Sequence, residues 1–155
     1  MIRRSQEALV RQKIANTWLE VHFRRPVARG RSPLFGPVVK WGDIWTPGAD
    51  SATTLAVSTP IQIEGQRLPQ GTYSIWMIPD SAGAWTIIFN KTAKAFHLNY
   101  PGQDQDQLRL RVAPSETTHM ESLMWYFPSV DGTDGKLAMQ WGTTAITMTI
   151  QAPAP

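Results

Sequence analysis

Apolar and polar residues alternate with a period of two along most of this chain. In residues 18–24, Leu19, Val21 and Phe23 share one face and Glu20 and His22 lie between them, which is the pattern of a half-buried strand. Similar runs, rich in Thr, Val, Ile and aromatic residues, occur at 53–58, 60–64, 71–78, 85–90, 107–112, 119–127, 136–141 and 145–151. Short turn sequences separate them. The pattern predicts an all-β fold, a single antiparallel β-sandwich, jelly-roll-like or barrel-like, of about 8–10 strands with little helix.

Some segments break this alternation, although all of residues 1–155 are predicted to form one β domain. We interpret 1–14 as an N-terminal arm, in which 5–14 forms either a short helix or an edge strand, and 152–155 as a frayed tail. Residues 91–98 could hold a second short turn. Residues 25–52 form a long irregular loop. Long loops without periodic structure are often functional, so we expect part of any site to lie there.

Composition narrows the class of protein. With 42% hydrophobic residues and seven Trp, the chain of 155 residues can build a core. Only 17% of its residues are charged, which argues against a helical bundle, because the exposed faces of such bundles are rich in Glu, Lys and Arg. Cysteine is absent, which excludes disulfides and thiolate chemistry. No apolar run is long enough for a membrane span, and no signal-peptide stretch is visible.

The positive charge is concentrated near the N-terminus. Residues 1–31 hold eight Lys or Arg residues and two Glu residues, whereas the whole chain has a net charge of +3. No nucleic-acid motif accompanies this cluster, so nucleic acid is not an expected partner. The simpler interpretation is a solvated arm together with Arg residues that bridge loops.

A series of short motifs, in order, resembles the bacterial family called domain of unknown function 2911. They are Arg25-Pro26, Gly30-Arg31, Phe35-Gly36, Trp45, 48–54, 68–74, Ile78-Pro79 and 85–91. The resemblance runs from about residue 13 to residue 150. It implies a compact all-β domain that is exported, either periplasmic or secreted, and it implies no activity.

The chain departs from the family pattern just after the loop Trp. Thr46, Asp50 and Ser51 stand where the family typically has a basic residue, an Asn and an acidic residue. Joint loss of both charges fits the loss of a structural ion pair. If those residues instead contact a ligand, this member would bind something different or nothing.

Few residues suggest catalysis or metal binding. Candidates for acid–base chemistry are Asp43, Asp50, His97 and Glu121; a turn Asp, however, commonly only accepts backbone N–H bonds. His119 and Glu121 share a strand face and would need a further histidine, such as His22, to bind a metal. We predict no metal and no cofactor.

Binding residues are expected mainly in and around the 25–52 loop. Trp41 and Trp45 lie in it, and Trp18 and Trp76 lie on strand faces opposite the apolar ones. Exposed rings stack on sugars, although a loop Trp can equally plug a sandwich.

Basic residues offer a second type of ligand contact. Arg25, Arg29, Arg31 and Lys91 could hold an anion, or could tie the loop to carbonyl groups.

Three hypotheses for function follow. The leading one is a non-catalytic envelope or secreted module that binds a carbohydrate or a small anionic molecule through the 25–52 loop. The alternatives are a small hydrolase or lyase that uses carboxylate or His chemistry beside that loop, and a structural β domain that forms a homodimer.

Overall fold

A computed structural model describes residues 2–155 as two antiparallel sheets. The strands are β1 (Gln6–Ile14), β2 (Thr17–Arg25), β3 (Thr54–Val57), β4 (Ile61–Ile63), β5 (Gln66–Leu68), β6 (Gly71–Ile78), β7 (Trp85–Asn90), β8 (Asp106–Val112), β9 (Ser115–Asp131) and β10 (Asp134–Gln151). One sheet has the order β1-β2-β3-β6-β7-β8 and the other β5-β4-β10-β9. The only helical element in this part of the chain is one 3-10 turn at Gln103–Gln105. The predicted all-β sandwich is confirmed.

The main hydrophobic core lies between the two sheets. Leu19, Val21 and Phe23 of β2 point into it and are buried, as the alternation predicts. The four-stranded sheet contributes residues such as Leu137 and Met139 of β10 to the same cluster. No helix of residues 2–155 has the length and apolarity needed to cross a membrane.

The N-terminal segment forms a strand rather than the helix that was one of two alternatives. β1 pairs with β2 along its whole length, from Gln6 opposite Arg25 to Ile14 opposite Thr17. Its other side is an edge of the six-stranded sheet. Pairing of a second copy at this edge stays a prediction.

Other differences from the predicted elements are local. The two runs 136–141 and 145–151 belong to one strand, β10, which is irregular in register around Gly142, a residue with φ of 59°. Strand β5 was not predicted. Residues 91–98 contain no helix. In the tail, Ala152 is buried and its N–H donates to the Thr133 carbonyl at 2.8 Å, so only the last three residues lack such anchoring.

A second, smaller core covers the outer face of the six-stranded sheet. Trp76 and Ile88 point away from the main core, yet both are 0% exposed. Residues 91–102 lie over them and contribute Ala95 and Tyr100 to the contact. The irregular 91–102 segment is therefore a packed cover.

A buried carboxylate fixes the end of this cover. Asp106, whose side chain is 6% exposed, accepts hydrogen bonds from Asn90 Nδ2 at 2.8 Å, the Tyr100 hydroxyl at 2.6 Å and Arg109 Nε at 2.7 Å. These donors come from β7, the cover and β8. Burial, and then the hydrogen bond to Asp106, raise the pKa of Tyr100.

Candidate functional site

The 25–52 loop has no periodic structure, but hydrogen bonds hold it along its course. Arg25 Nε donates to the Leu123 carbonyl at 2.8 Å, and the Ala28 N–H donates to the Glu121 carbonyl at 2.8 Å. Farther along, Trp45 pairs with Met77 through two backbone hydrogen bonds of 2.8 and 2.6 Å. The loop is thus attached to β9 at its start and to β6 near its end.

The predicted cluster of basic residues is largely engaged with backbone groups. Arg31 Nε and Nη2 donate to the carbonyls of Ala28 and Val27 at 2.9 and 2.7 Å, and Arg25 Nη2 donates to Ser122 at 3.2 Å. Of the two predicted roles for Arg25 and Arg31, anion binding or bonding to backbone carbonyls, the structure shows the second.

The side chains of the other two predicted basic residues are exposed. Arg29 is exposed and contributes its backbone N–H to a Glu121 carboxylate oxygen at 2.9 Å. Lys91 is exposed just after β7, where its N–H donates to the Gln105 carbonyl. Neither residue lines the groove described below.

Five aromatic rings connect the loop to the core. Phe35 lies 4.8 Å from Trp85 and 5.5 Å from Trp45 between ring centroids, and Trp45 stacks on Trp141 at 6.3 Å with an interplanar angle of 17°. Trp41 meets Trp85 edge to face at 6.4 Å. Trp45 therefore packs against the core, whereas Trp41, at 44% exposed, keeps much of its ring in solvent.

The exposed ring of Trp41 borders a groove of about 490 Å³, which we call the Trp41 groove. Its other lining residues come from the β6–β7 turn, the start of β7, the β8–β9 turn, the start of β9, and β10: Asp80, Ser81, Ala82, Gly83, Trp85, Ala113, Pro114, Ser115, Glu116, Thr143 and Thr144. The lining thus combines two indole rings, two carboxylates and several hydroxyl groups, with no Lys, Arg or His.

Neighbouring groups fix the position of Trp41. The Gly42 N–H donates to the Pro79 carbonyl at 2.8 Å, which ties the loop to the β6–β7 turn. Gly36 has φ of 111°, and a Cβ there would lie 2.9 Å from Trp41 Nε1. A glycine at 36 is needed both for the backbone conformation and for the close approach of the indole.

The floor and the rim of the groove also have defined partners. Trp85 is 1% exposed, and its Nε1 donates to the Asp80 carbonyl at 3.2 Å. One oxygen of the Asp80 side chain accepts the Ala82 N–H at 2.8 Å. Glu116 is exposed and belongs to none of the ion pairs of residues 2–155. The groove therefore presents carboxylate oxygens that are free to accept hydrogen bonds.

The structure does not bring the three candidate carboxylates together, although it places His97 against the backbone of Asp50. The Asp50 carboxylate pairs with Arg3 at 3.2 Å and Arg24 at 3.8 Å, and its backbone carbonyl accepts the N–H and ring Nδ1 of His97 at 2.6 and 2.8 Å. Asp43 is exposed at the surface of the loop. Each candidate carboxylate thus has its own surroundings, and no two share a pocket.

Glu121, the third candidate carboxylate, forms an exposed pair with His119. Its Oε1 lies 2.8 Å from His119 Nε2, and both side chains are 52% exposed. This hydrogen bond, together with that from the Arg29 N–H, lowers the pKa of Glu121. His22 lies on the other sheet, 3.6 Å from Glu20. Among residues 2–155 no group of three His, Asp or Glu side chains could hold a metal ion.

The departures from the family pattern occupy different environments. Thr46 is buried, where its hydroxyl donates to the Ile75 carbonyl at 2.9 Å and accepts the Thr53 N–H at 3.0 Å. Asp50 has φ of 61°, a conformation that Asn and Asp both tolerate. Ser51 is exposed.

The two remaining candidate rings do not border the Trp41 groove. Trp76 is buried under the 91–102 cover. Trp18 is 38% exposed on β2, with the Arg11 guanidinium 3.9 Å from its ring centroid. Sequence reasoning identified Trp41 but missed Asp80 and Glu116. Asp80 lies in the β6–β7 turn and Glu116 at the start of β9, and their proximity depends on tertiary structure. The turn sequence 79–83 was the available signal for Asp80.

The fold and the groove define a β-sandwich domain with an aromatic-walled surface site. The chain belongs to the family described as "Protein of unknown function (DUF2911)", whose pattern it matches over residues 5–150. No curated protein and no solved structure shows significant similarity to it.

Proposed function

We propose that this domain is a non-catalytic binding module of the bacterial envelope or of secreted proteins, and that it binds a carbohydrate in the Trp41 groove. The observation that carries the proposal is the half-exposed indole of Trp41 beside a groove of about 490 Å³. Small-molecule sites have volumes of roughly 300–1,000 Å³ and combine aromatic walls with a few polar groups.

The position of Trp41 suits stacking on a sugar ring. Covering the exposed indole with a sugar ring removes apolar surface from water, which is favourable. The edge-to-face contact with buried Trp85 holds the indole without covering it. The backbone of Gly36 also packs close to the indole Nε1. A ring that is already fixed loses little conformational entropy when a ligand stacks on it.

The charge of the lining favours a neutral sugar over the anionic ligand that was the second prediction. Asp80 and Glu116 would repel an anion, and the lining has no basic residue to offset them. Carboxylates and the hydroxyls of Ser81, Thr143 and Thr144 instead match the donors and acceptors of sugar hydroxyl groups.

The test is a calorimetric titration with neutral oligosaccharides of glucose, galactose, mannose and N-acetylglucosamine. We expect at least one series to bind, and Trp41→Ala to weaken its affinity by about 30-fold or more, as for an aromatic residue that dominates an interface. Trp18→Ala is the matched control, because Trp18 is similarly exposed but outside the groove. Binding that survives Trp41→Ala, or binding by none of the sugars, would contradict the proposal.

A further inference from the structure

A second groove, of about 530 Å³, lies on the outer face of the six-stranded sheet. We call it the Phe96 groove, and its lining residues are His22, Ser51, Ala52, Thr54, Ala93, Lys94, Ala95 and Phe96. His22 and Thr54 are paired across β2 and β3 and form part of its floor. It shares no residue with the Trp41 groove.

Backbone hydrogen bonds hold the wall of this groove in place. The Ala52 N–H donates to the Ala95 carbonyl at 2.8 Å, and the His97 N–H donates to the Asp50 carbonyl at 2.6 Å. The end of the 25–52 loop therefore pairs with the 91–102 cover. Phe96, between these bonds, is 48% exposed.

The groove combines an apolar wall with basic and hydroxyl groups. Ala52, Ala93, Ala95 and Phe96 supply apolar surface, and Ser51 and Thr54 supply hydroxyl groups. Lys94 is exposed and takes part in none of the ion pairs of the described residues. His22 is the other nitrogen-bearing side chain, and no carboxylate lines the groove.

The nearest carboxylates have basic partners of their own. Asp50 pairs with Arg3 and Arg24, and Glu7, which lines a small recess next to the groove, lies 3.9 Å from Arg24. Glu20 lies 3.6 Å from both Arg11 and His22. The one unpaired charge on the lining is therefore the Lys94 ammonium.

We infer that the Phe96 groove binds a small aromatic carboxylate. The carboxylate would accept hydrogen bonds from Lys94 and from the hydroxyl groups of Ser51 and Thr54, while the aromatic ring packs against Phe96 and the alanines. A carboxylate carries one negative charge, which matches the single unpaired cation, whereas a phosphate monoester carries almost two.

The experiment is a titration of the 15N-labelled full chain with phenylacetate, with phenylacetamide as the neutral isostere and acetate as the probe without a ring. We expect phenylacetate to shift amide resonances within 51–54 and 93–97, and to bind about fivefold or more tightly than either other probe. Inorganic phosphate should bind more weakly than phenylacetate.

Two variants and a control assign the contacts. Lys94→Met and Phe96→Ser should each weaken phenylacetate binding by about fivefold or more, and Lys136→Met, which removes an exposed lysine of β10, should leave it unchanged. Absence of binding, equal binding of phenylacetamide, equal effects of Lys94→Met and Lys136→Met, or shifts confined to the Trp41 groove would each overturn the inference. Because the two grooves share no residues, these outcomes are independent of the carbohydrate titration.

Discussion

The two grooves resemble each other in size and in their exposed ring, but their linings differ in charge. Trp41 and Phe96 are 44% and 48% exposed, and the grooves have volumes of about 490 and 530 Å³. One lining carries Asp80 and Glu116 without a basic residue, and the other carries Lys94 and His22 without a carboxylate. Under the two proposals made above, the charge of the lining residues, rather than the exposed ring alone, determines which ligand class each groove takes.

The grooves also differ in what supports their walls. Trp41 rests on the main core through Trp85, which is buried between the sheets. Phe96 belongs to a cover that is packed on Trp76 and attached through Asp106. A change in the main core should therefore affect the Trp41 groove, and a change in the cover should affect the Phe96 groove.

The largest expected effect is that of Trp85→Ala. This change removes a fully buried indole from the main core and should lower the free energy of unfolding by about 3–5 kcal/mol, as measured by urea denaturation. It should also displace Trp41 and abolish sugar binding. A loss below about 1 kcal/mol would show that Trp85 does not support this wall as described.

Asp106→Ala should have the next largest effect and should act on the other groove. It leaves Asn90, Tyr100 and Arg109 without their shared acceptor, and we expect a loss of about 2–3 kcal/mol in unfolding free energy. Amide hydrogen exchange should accelerate within 91–102, while the backbone amides around the Trp41 groove should keep their exchange rates. Asp104→Ala, an exposed neighbour, is the control; equal exchange rates in the two variants would argue against the anchoring role.

Gly36→Ala tests the fixed position of Trp41. The alanine would have to adopt a positive φ, and its Cβ would lie 2.9 Å from the indole. We expect this variant to lose about 1 kcal/mol of stability and to bind sugar more weakly. Gly65→Ala introduces a similar backbone strain at φ of 75° with no atom near the added Cβ. If both variants bind sugar with the affinity of the unmodified chain, the position of Trp41 does not depend on Gly36.

The smallest effect is a pH dependence at the Asp106 anchor. Because folding raises the pKa of Tyr100, its contribution is fully present below the pKa of an unfolded tyrosine, about 10, and is lost as the pH rises through the folded value. Tyr100→Phe should therefore reduce the loss of stability above about pH 10. Tyr73, whose pKa burial also raises, provides a comparison in the main core. An unchanged pH profile in Tyr100→Phe would contradict the assignment.

The sequence predicted most of the fold because strands have a strict period. Strands β6 and β7 coincide with the predicted runs 71–78 and 85–90. β10 was divided in two because Gly142 interrupts the alternation, and the 91–102 cover was missed because its packing on Trp76 is a tertiary contact with no period of its own.

The site was predicted less completely than the fold. Trp41 stood out as an aromatic residue in an irregular loop, whereas Arg25 and Arg31 looked equally suited to an anion and to backbone carbonyls. The role of Arg25 depends on where Leu123, 98 positions along the chain, lies in space. The role of Arg31 depends on the conformation of a local turn, in which it reaches the Ala28 carbonyl three positions back. Hydrophobic alternation predicts neither contact. The proximity of Asp80 and Glu116 also depends on tertiary structure, since Asp80 lies in the β6–β7 turn and Glu116 at the start of β9.

The most direct test of carbohydrate binding in the Trp41 groove follows the indole N–H resonances of the seven Trp residues during titration with the best-binding neutral oligosaccharide. We expect the Trp41 resonance, assigned through Trp41→Phe, to shift most, and the resonances of Trp18 and buried Trp76 to stay in place. Saturable binding that leaves the Trp41 resonance unmoved, or that moves Trp18 instead, would contradict this placement of the site.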